Sequence, residues 1–148
     1  MMPTSIALPA NQQHFQAIAI AGVTDPVVGQ YFQTLNAGEF EATAQLFAED
    51  GFLQPPFEDP VVGPAAIATY LQSEAAGLTL IPHHGTSRLL DNGCAEYEVT
   101  GTVKTPWFSV NICWQFILSP WQEIFVVRVK LLASLRELLR FRQVKDTL

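Results

Sequence analysis

The chain has 148 residues, 49% of them hydrophobic and only 15% charged, with a formal net charge of −6. That length fits one domain with a core of its own, and the acidic balance argues against nucleic acid, since most of the few Lys and Arg fall late, from Arg128 to Lys145. The sparse charge leaves apolar surface for a partner or ligand to cover. No run reaches the length of a membrane span and no signal-peptide pattern opens the chain, so a cytoplasmic protein without stable membrane insertion is expected. Cys94 and Cys113 have neither CxxC nor zinc spacing and read as free thiols, with Cys113 the candidate for a redox or inter-chain contact.

Residues 1–22 read as an N-terminal extension, and residues 23–148 as the domain. Thr24-Asp25-Pro26 supplies a cap and a first-turn proline. The helix it opens carries Val27, Val28, Tyr31, Phe32 and Leu35 on one stripe, and Asn36 and Gly38 close it. A second helix is predicted over Glu39 to Ala48, and a short strand at Phe52-Leu53-Gln54 stops at Pro55-Pro56. Pro64 starts a third helix that ends at Gly77. Strands then follow at Leu78 to Pro82, Arg88 to Leu90, Ala95 to Thr105, Val110 to Leu118 and Ile124 to Ala133, before a last helix from Ser134 to about Gln143.

Helices first and a bent antiparallel sheet second predict an α+β cone with an apolar cavity between helices and sheet. Period-2 alternation points Tyr97, Val99, Gly101, Val103 and Thr105 inward, with Ile112, Trp114 and Phe116, then Phe125, Val127, Val129 and Leu131. That set holds no carboxylate, imidazole or thiol, so acid–base chemistry lacks a candidate and no catalytic residue is assigned. His83-His84 reads as an exposed turn, Glu58-Asp59 as turn residues, and no metal site is expected. A buried indole such as Trp114 brings a donor that needs a partner. By spacing alone, Tyr31 reads as a core tyrosine bonded to backbone.

The segments Val27-Val-Gly-Gln-Tyr-Phe-Gln-Thr-Leu-Asn36, Leu53-Gln-Pro-Pro-Phe57, Pro60-Val-Val-Gly63, Val99-Thr-Gly-Thr-Val-Lys-Thr-Pro-Trp-Phe108, Trp114-Gln-Phe and Leu131-Leu-Ala-Ser134 carry a resemblance. From about Val23 to Arg142 the chain resembles the C-terminal domain of the cyanobacterial orange carotenoid protein, and with no room for that family's helical N-terminal domain it looks like a stand-alone homologue. The chain departs from the family in a shorter turn at Phe108 to Ile112, in Lys130 where an acid is usual and in Leu135 where a proline is usual.

The resemblance implies a nuclear transport factor 2-like fold, with three N-terminal helices on a curved antiparallel sheet plus a C-terminal helix. It implies a ketocarotenoid, canthaxanthin or echinenone, whose carbonyl accepts hydrogen bonds from Tyr31 and Trp114. The implied walls are Leu35, Leu78, Leu80, Val103, Pro106, Trp107, Ile112, Phe116, Val127 and Val129. A homodimer sharing one pigment, exchange with helical carotenoid proteins and quenching of singlet oxygen complete the expectation, and the C-terminal helix is expected to cover or uncover the pocket mouth. The alternative is a small isomerase or dehydratase acting on an apolar substrate, which the same fold supports.

Overall fold

The computed structural model describes residues 18–132. Helix α1, Pro26–Asn36, forms because the Asp25 carboxylate accepts from the Val27 N–H at 2.8 Å and Pro26 pre-sets the first turn. Its stripe of Val27, Val28, Tyr31, Phe32 and Leu35 is buried. After it come α2 (Phe40–Ala44), β1 (Phe47–Gln54), β2 (Val61–Val62), α3 (Pro64–Glu74), β3 (Thr79–Leu89), β4 (Ala95–Lys104), β5 (Ser109–Leu118) and β6 (Ile124–Leu132). The three helices and one curled, unclosed six-stranded sheet, in the order β2-β1-β6-β5-β4-β3, make the expected α+β architecture.

Four details differ from expectation. Helix α2 is half its predicted length, because parallel pairing with β6 captures the chain from Phe47 and the Ile124 N–H bonds the Leu46 carbonyl at 2.9 Å. The sheet is therefore antiparallel in every pair but β1 with β6. The two strands expected around His83-His84 are one strand, β3, with a register shift between Pro82 and His84. Pro82 is tolerated there because β3 is a sheet edge. A second shift, in the β5–β6 pairing, makes Phe125 the extra residue, so Ile124 is fully buried and Phe125 only half-buried.

The last residues of the predicted extension are built into this domain. Ile20 is buried, and the Gly85 N–H bonds the Ala21 carbonyl at 2.8 Å, which seals part of the free edge of β3. The predicted C-terminal helix lies outside the described residues.

The core sits between the helices and the inner sheet face: Val28, Tyr31, Phe32 and Ile67 meet Val99, Trp114, Phe116, Leu118, Ile124 and Val127, each at most 2% exposed. On the outer face, Arg128 donates to both Gln54 and Gln115, and Gln115 donates to Glu96, which also accepts from Arg88. These bonds to Gln115 and Arg88 hold the Glu96 carboxyl below its ordinary range.

Candidate functional site

Inside the cone lies an apolar cavity of about 130 Å³. Tyr31 and Trp114 both line it, with Leu78, Leu80, Val103 and Val129 from the sheet side and Leu53, Pro55 and Pro56 from the end of β1. Helix α3 adds Tyr70, Leu71 and Glu74, and its C-cap adds Ala75; these four, like Leu53, Pro55 and Pro56, were not among the expected walls. The signal was present in their i, i+1, i+4, i+5 spacing, the same stripe pattern that was read correctly in α1.

The two expected donors are held by an aromatic cluster. The Tyr31 ring stands edge-on to Phe116 at 5.1 Å and to Phe32 at 5.3 Å, and Phe32 in turn stands edge-on to Trp114 at 4.7 Å. Neither the Tyr31 hydroxyl nor the Trp114 indole N–H has a hydrogen-bond partner among the described residues. Among those residues every fully buried side-chain nitrogen or oxygen does have one, and Tyr31 and Trp114 both line the cavity. The backbone partner that spacing alone assigned to Tyr31 is absent among the described residues.

Burial, with a smaller contribution from Tyr70, pushes the Tyr31 phenol far above its ordinary range, so it is a donor throughout the physiological range. Two donor-bearing residues lining one apolar cavity suit a ligand with one strong acceptor on an otherwise hydrocarbon frame.

Helix α1 is tied to the sheet on both sides of Tyr31. At its start Asp25 also accepts from the Tyr97 hydroxyl on β4 at 3.2 Å. At its end the Asn36 side chain bonds both backbone groups of Leu80, each at 2.8 Å.

The other residues expected in the walls divide into two groups. Leu35, Ile112, Phe116 and Val127 are buried but belong to the solid core behind the cavity. Pro106 and Trp107 do not line it: they sit in the exposed turn between β4 and β5, with Trp107 85% exposed. The Thr105 hydroxyl accepts from the Trp107 and Phe108 N–H groups at 3.2 and 3.0 Å, and this tight turn throws both rings outward.

Cys113 lies on the outer face across from Thr100 and Lys130, as its phase required. Burial and Glu98 raise its thiol against the opposing pull of Lys130, which disfavours the thiolate. Cys94 and Cys113 are both free thiols. No group of three or more His, Cys, Asp or Glu among the described residues could hold a metal.

Glu74 borders the cavity but is exposed, and its carboxylate accepts from the Ser73 hydroxyl at 3.1 Å, while Tyr70 beside it donates to Glu58 at 3.5 Å. Burial, followed by the charges of Glu58 and Glu74, pushes the Tyr70 phenol up to about 12. Among the described residues the cavity takes no carboxylate residue from the sheet strands, and the exposed Glu74 borders it from α3.

The nuclear transport factor 2 (NTF2) domain family matches residues 23–132. The chain belongs to that family. Within it, the chain is 42% identical over 135 residues to the orange carotenoid-binding protein of Limnospira maxima, a match covering 88% of this chain and 43% of that protein. The solved orange carotenoid protein of Anabaena (Nostoc) sp. PCC 7120 binding canthaxanthin superposes with a TM-score of 0.77 at 42% identity, over 83% of this chain and 40% of that one. The chain thus spans about two fifths of the length of these relatives. A shorter match, 40% over 76 residues, covers 46% of this chain and 27% of the epoxide hydrolase LasB of Streptomyces lasalocidi. No helix among the described residues of this NTF2 domain is long and apolar enough to cross a membrane.

Proposed function

We propose that this NTF2 domain is a carotenoid carrier of the cytoplasm, without catalytic activity. The observation that carries the reading is the pair of unpartnered donors, Tyr31 Oη and Trp114 Nε1, in one apolar cavity. A ketocarotenoid, canthaxanthin or echinenone, offers one ring carbonyl to such a pair, and the similarity to the Anabaena orange carotenoid protein, which binds canthaxanthin, supports the choice. Leu78, Leu80, Val103 and Val129 desolvate the ring. Because the pigment is longer than one domain, two copies share it as a homodimer. Loading from and delivery to helical carotenoid proteins, with singlet-oxygen quenching while loaded, complete the proposed role in photoprotection.

Expression in carotenoid-producing cells, followed by a visible spectrum and a native mass, tests this reading. A coloured dimer with one ketocarotenoid per two chains is the expected result. A colourless protein from cells rich in canthaxanthin overturns it.

A second reading rests on Glu74. A carboxylate at the rim of an apolar cavity, beside Tyr70, resembles the acid that an epoxide-opening enzyme or an isomerase needs. Hydrolysis of an apolar epoxide that disappears in Glu74→Gln while pigment binding persists favours that reading.

A further inference from the structure

The cavity of about 130 Å³ is smaller than the roughly 300–1,000 Å³ usual for small-molecule sites, so a ligand's end group that enters it lies against the whole lining. Besides the two donors, that lining holds a third aromatic side chain with a polar tip. Tyr70, half-buried on α3, stands with Tyr31 and Trp114 around the same space. Its charge, if ionised, would add to burial in raising the Tyr31 phenol, which puts the two hydroxyls within electrostatic reach of each other.

What sets Tyr70 apart is where its one hydrogen goes. The Tyr70 hydroxyl donates to Glu58 Oε2 at 3.5 Å, and the charge of Glu74 draws on the same hydrogen. Glu58 is held opposite α3 by the turn that follows β1, in which its N–H bonds the Pro55 carbonyl at 3.4 Å. A phenol has one O–H to give, while its oxygen can also accept. With the hydrogen committed to Glu58, the Tyr70 oxygen has only acceptor capacity left for a ligand. Tyr31 and Trp114 have the opposite polarity, since each still has a hydrogen to offer. The lining thus presents two donors and one acceptor among apolar walls. Glu74 is the weaker acceptor candidate, being exposed and already bonded by the Ser73 hydroxyl at 3.1 Å.

We propose that Tyr70 is a specificity-determining residue of this site and selects an end ring that carries a hydroxyl next to the ketone. The ketone accepts from Tyr31 and Trp114, and the neighbouring hydroxyl donates to Tyr70 Oη. The assignment rests on the pigment-carrier reading above and sets a preference within it, for the hydroxyketone rings of astaxanthin over the plain ketone rings of canthaxanthin. The physical basis is asymmetric. A ring hydroxyl that leaves water for an apolar cavity is disfavoured unless an acceptor meets it, so the same hydroxyl that gains from Tyr70 is penalised without it.

Loading the full chain from an equimolar mixture of astaxanthin and canthaxanthin, then extracting the bound pigment and resolving it by chromatography, tests this. Astaxanthin is expected in about fivefold excess on the unmodified protein, the effect of one net hydrogen bond. Tyr70→Phe keeps the ring and removes the acceptor, and should bring the ratio to one or below. Canthaxanthin recovered from the same sample shows that the variant is folded. Tyr31→Phe acts on the ketone that both pigments share, and should lower total pigment while keeping the excess. An excess that survives Tyr70→Phe overturns the assignment, as does its absence from the unmodified protein or its equal loss in Tyr31→Phe. A Tyr70→Phe protein that binds neither pigment makes Tyr70 essential rather than selective, and overturns it too. Failure of the unmodified protein to bind either pigment overturns the pigment-carrier reading itself, and this assignment with it.

Discussion

Asn36 and Leu80 are joined as two strands are: the side-chain oxygen of Asn36 accepts from the Leu80 N–H at 2.8 Å, and its amide nitrogen donates to the Leu80 carbonyl at 2.8 Å. Leu80 pairs with Val103 across β3 and β4, so a helix-terminal side chain takes the place of the missing neighbour on the free edge. Tyr31 lies five residues before Asn36 on the same helix, and Leu80 lines the cavity. The clamp therefore fixes the distance between one donor and the opposite wall.

Asn36→Asp keeps the acceptor and loses the donor, and Asn36→Ala loses both. Thermal stability should fall by about 1 and 2 kcal/mol respectively, in line with about 1 kcal/mol per hydrogen bond. If the clamp also positions Tyr31, the visible band of bound ketocarotenoid should move with Asn36→Ala in the Tyr31 protein and stay put in the Tyr31→Phe background. Equal movement in both backgrounds reduces the clamp to a purely structural role.

Tyr31→Phe and Trp114→Phe separate binding from folding. In the ligand-free protein neither donor has a partner among the described residues, so Tyr31→Phe removes an unsatisfied hydroxyl and should leave stability unchanged or slightly higher. Affinity for a ketocarotenoid should drop by about threefold to tenfold for each lost hydrogen bond, and the visible band should shift to the blue. Trp114→Phe also leaves a void in the core and should cost about 1–3 kcal/mol of stability. Full affinity and unchanged colour in the double variant would remove the proposed carbonyl site.

How much of this was legible in the residues differs by element. The cap and stripe of α1 read directly from Asp25-Pro26 and the spacing of Val27 to Leu35, because a helix that buries one face writes its period into the chain. The phase of β4 and β5 was equally plain from Val99 and Trp114. The bulges near His83 and at Phe125 were not, since an added residue breaks the period of 2 without a composition signature. The buried stripe of α1 already carried Tyr31 toward the cavity that Trp114 lines, but the pairing of the two as donors to one carbonyl came from family resemblance, since 83 positions separate them. The contribution of α3 went unread because Ile67, Leu71 and Ala75 already account for a core stripe, with Tyr70 and Glu74 on its border.

The crossing of Gly22 over Gly85 gives a prediction about the sheet edge. Gly22 has φ +87°, and a Cβ built there would stand 2.1 Å from the Gly85 carbonyl oxygen. Gly22→Ala should cost about 2 kcal/mol and lower Tm by about 6 °C, because both the strain and the clash oppose the seal on β3. Gly29, in the middle of α1, faces open space, so Gly29→Ala should raise stability by about 0.5–1 kcal/mol through helix propensity. Calorimetry on the two variants checks the contrast, and equal destabilisation by both would contradict the crossing.

Alkaline titration tests the state of the donor itself. The chain has three tyrosines, and Tyr31, Tyr70 and Tyr97 are all raised, each first of all by burial. Above pH 10 an unfolded chain releases these protons while the folded chain keeps them, so the folded state binds more protons and loses stability as pH rises. Below about pH 10 both states are protonated and the three phenols contribute no slope. Ultraviolet titration should therefore show little tyrosinate at pH 10 to 11, followed by a cooperative rise as the protein unfolds. The band of bound pigment should hold steady from pH 6 to 10, since neither the Tyr31 phenol nor the Trp114 indole titrates there. A colour change with a midpoint between pH 6 and 8 would mean that an ionisable group other than these two contacts the chromophore.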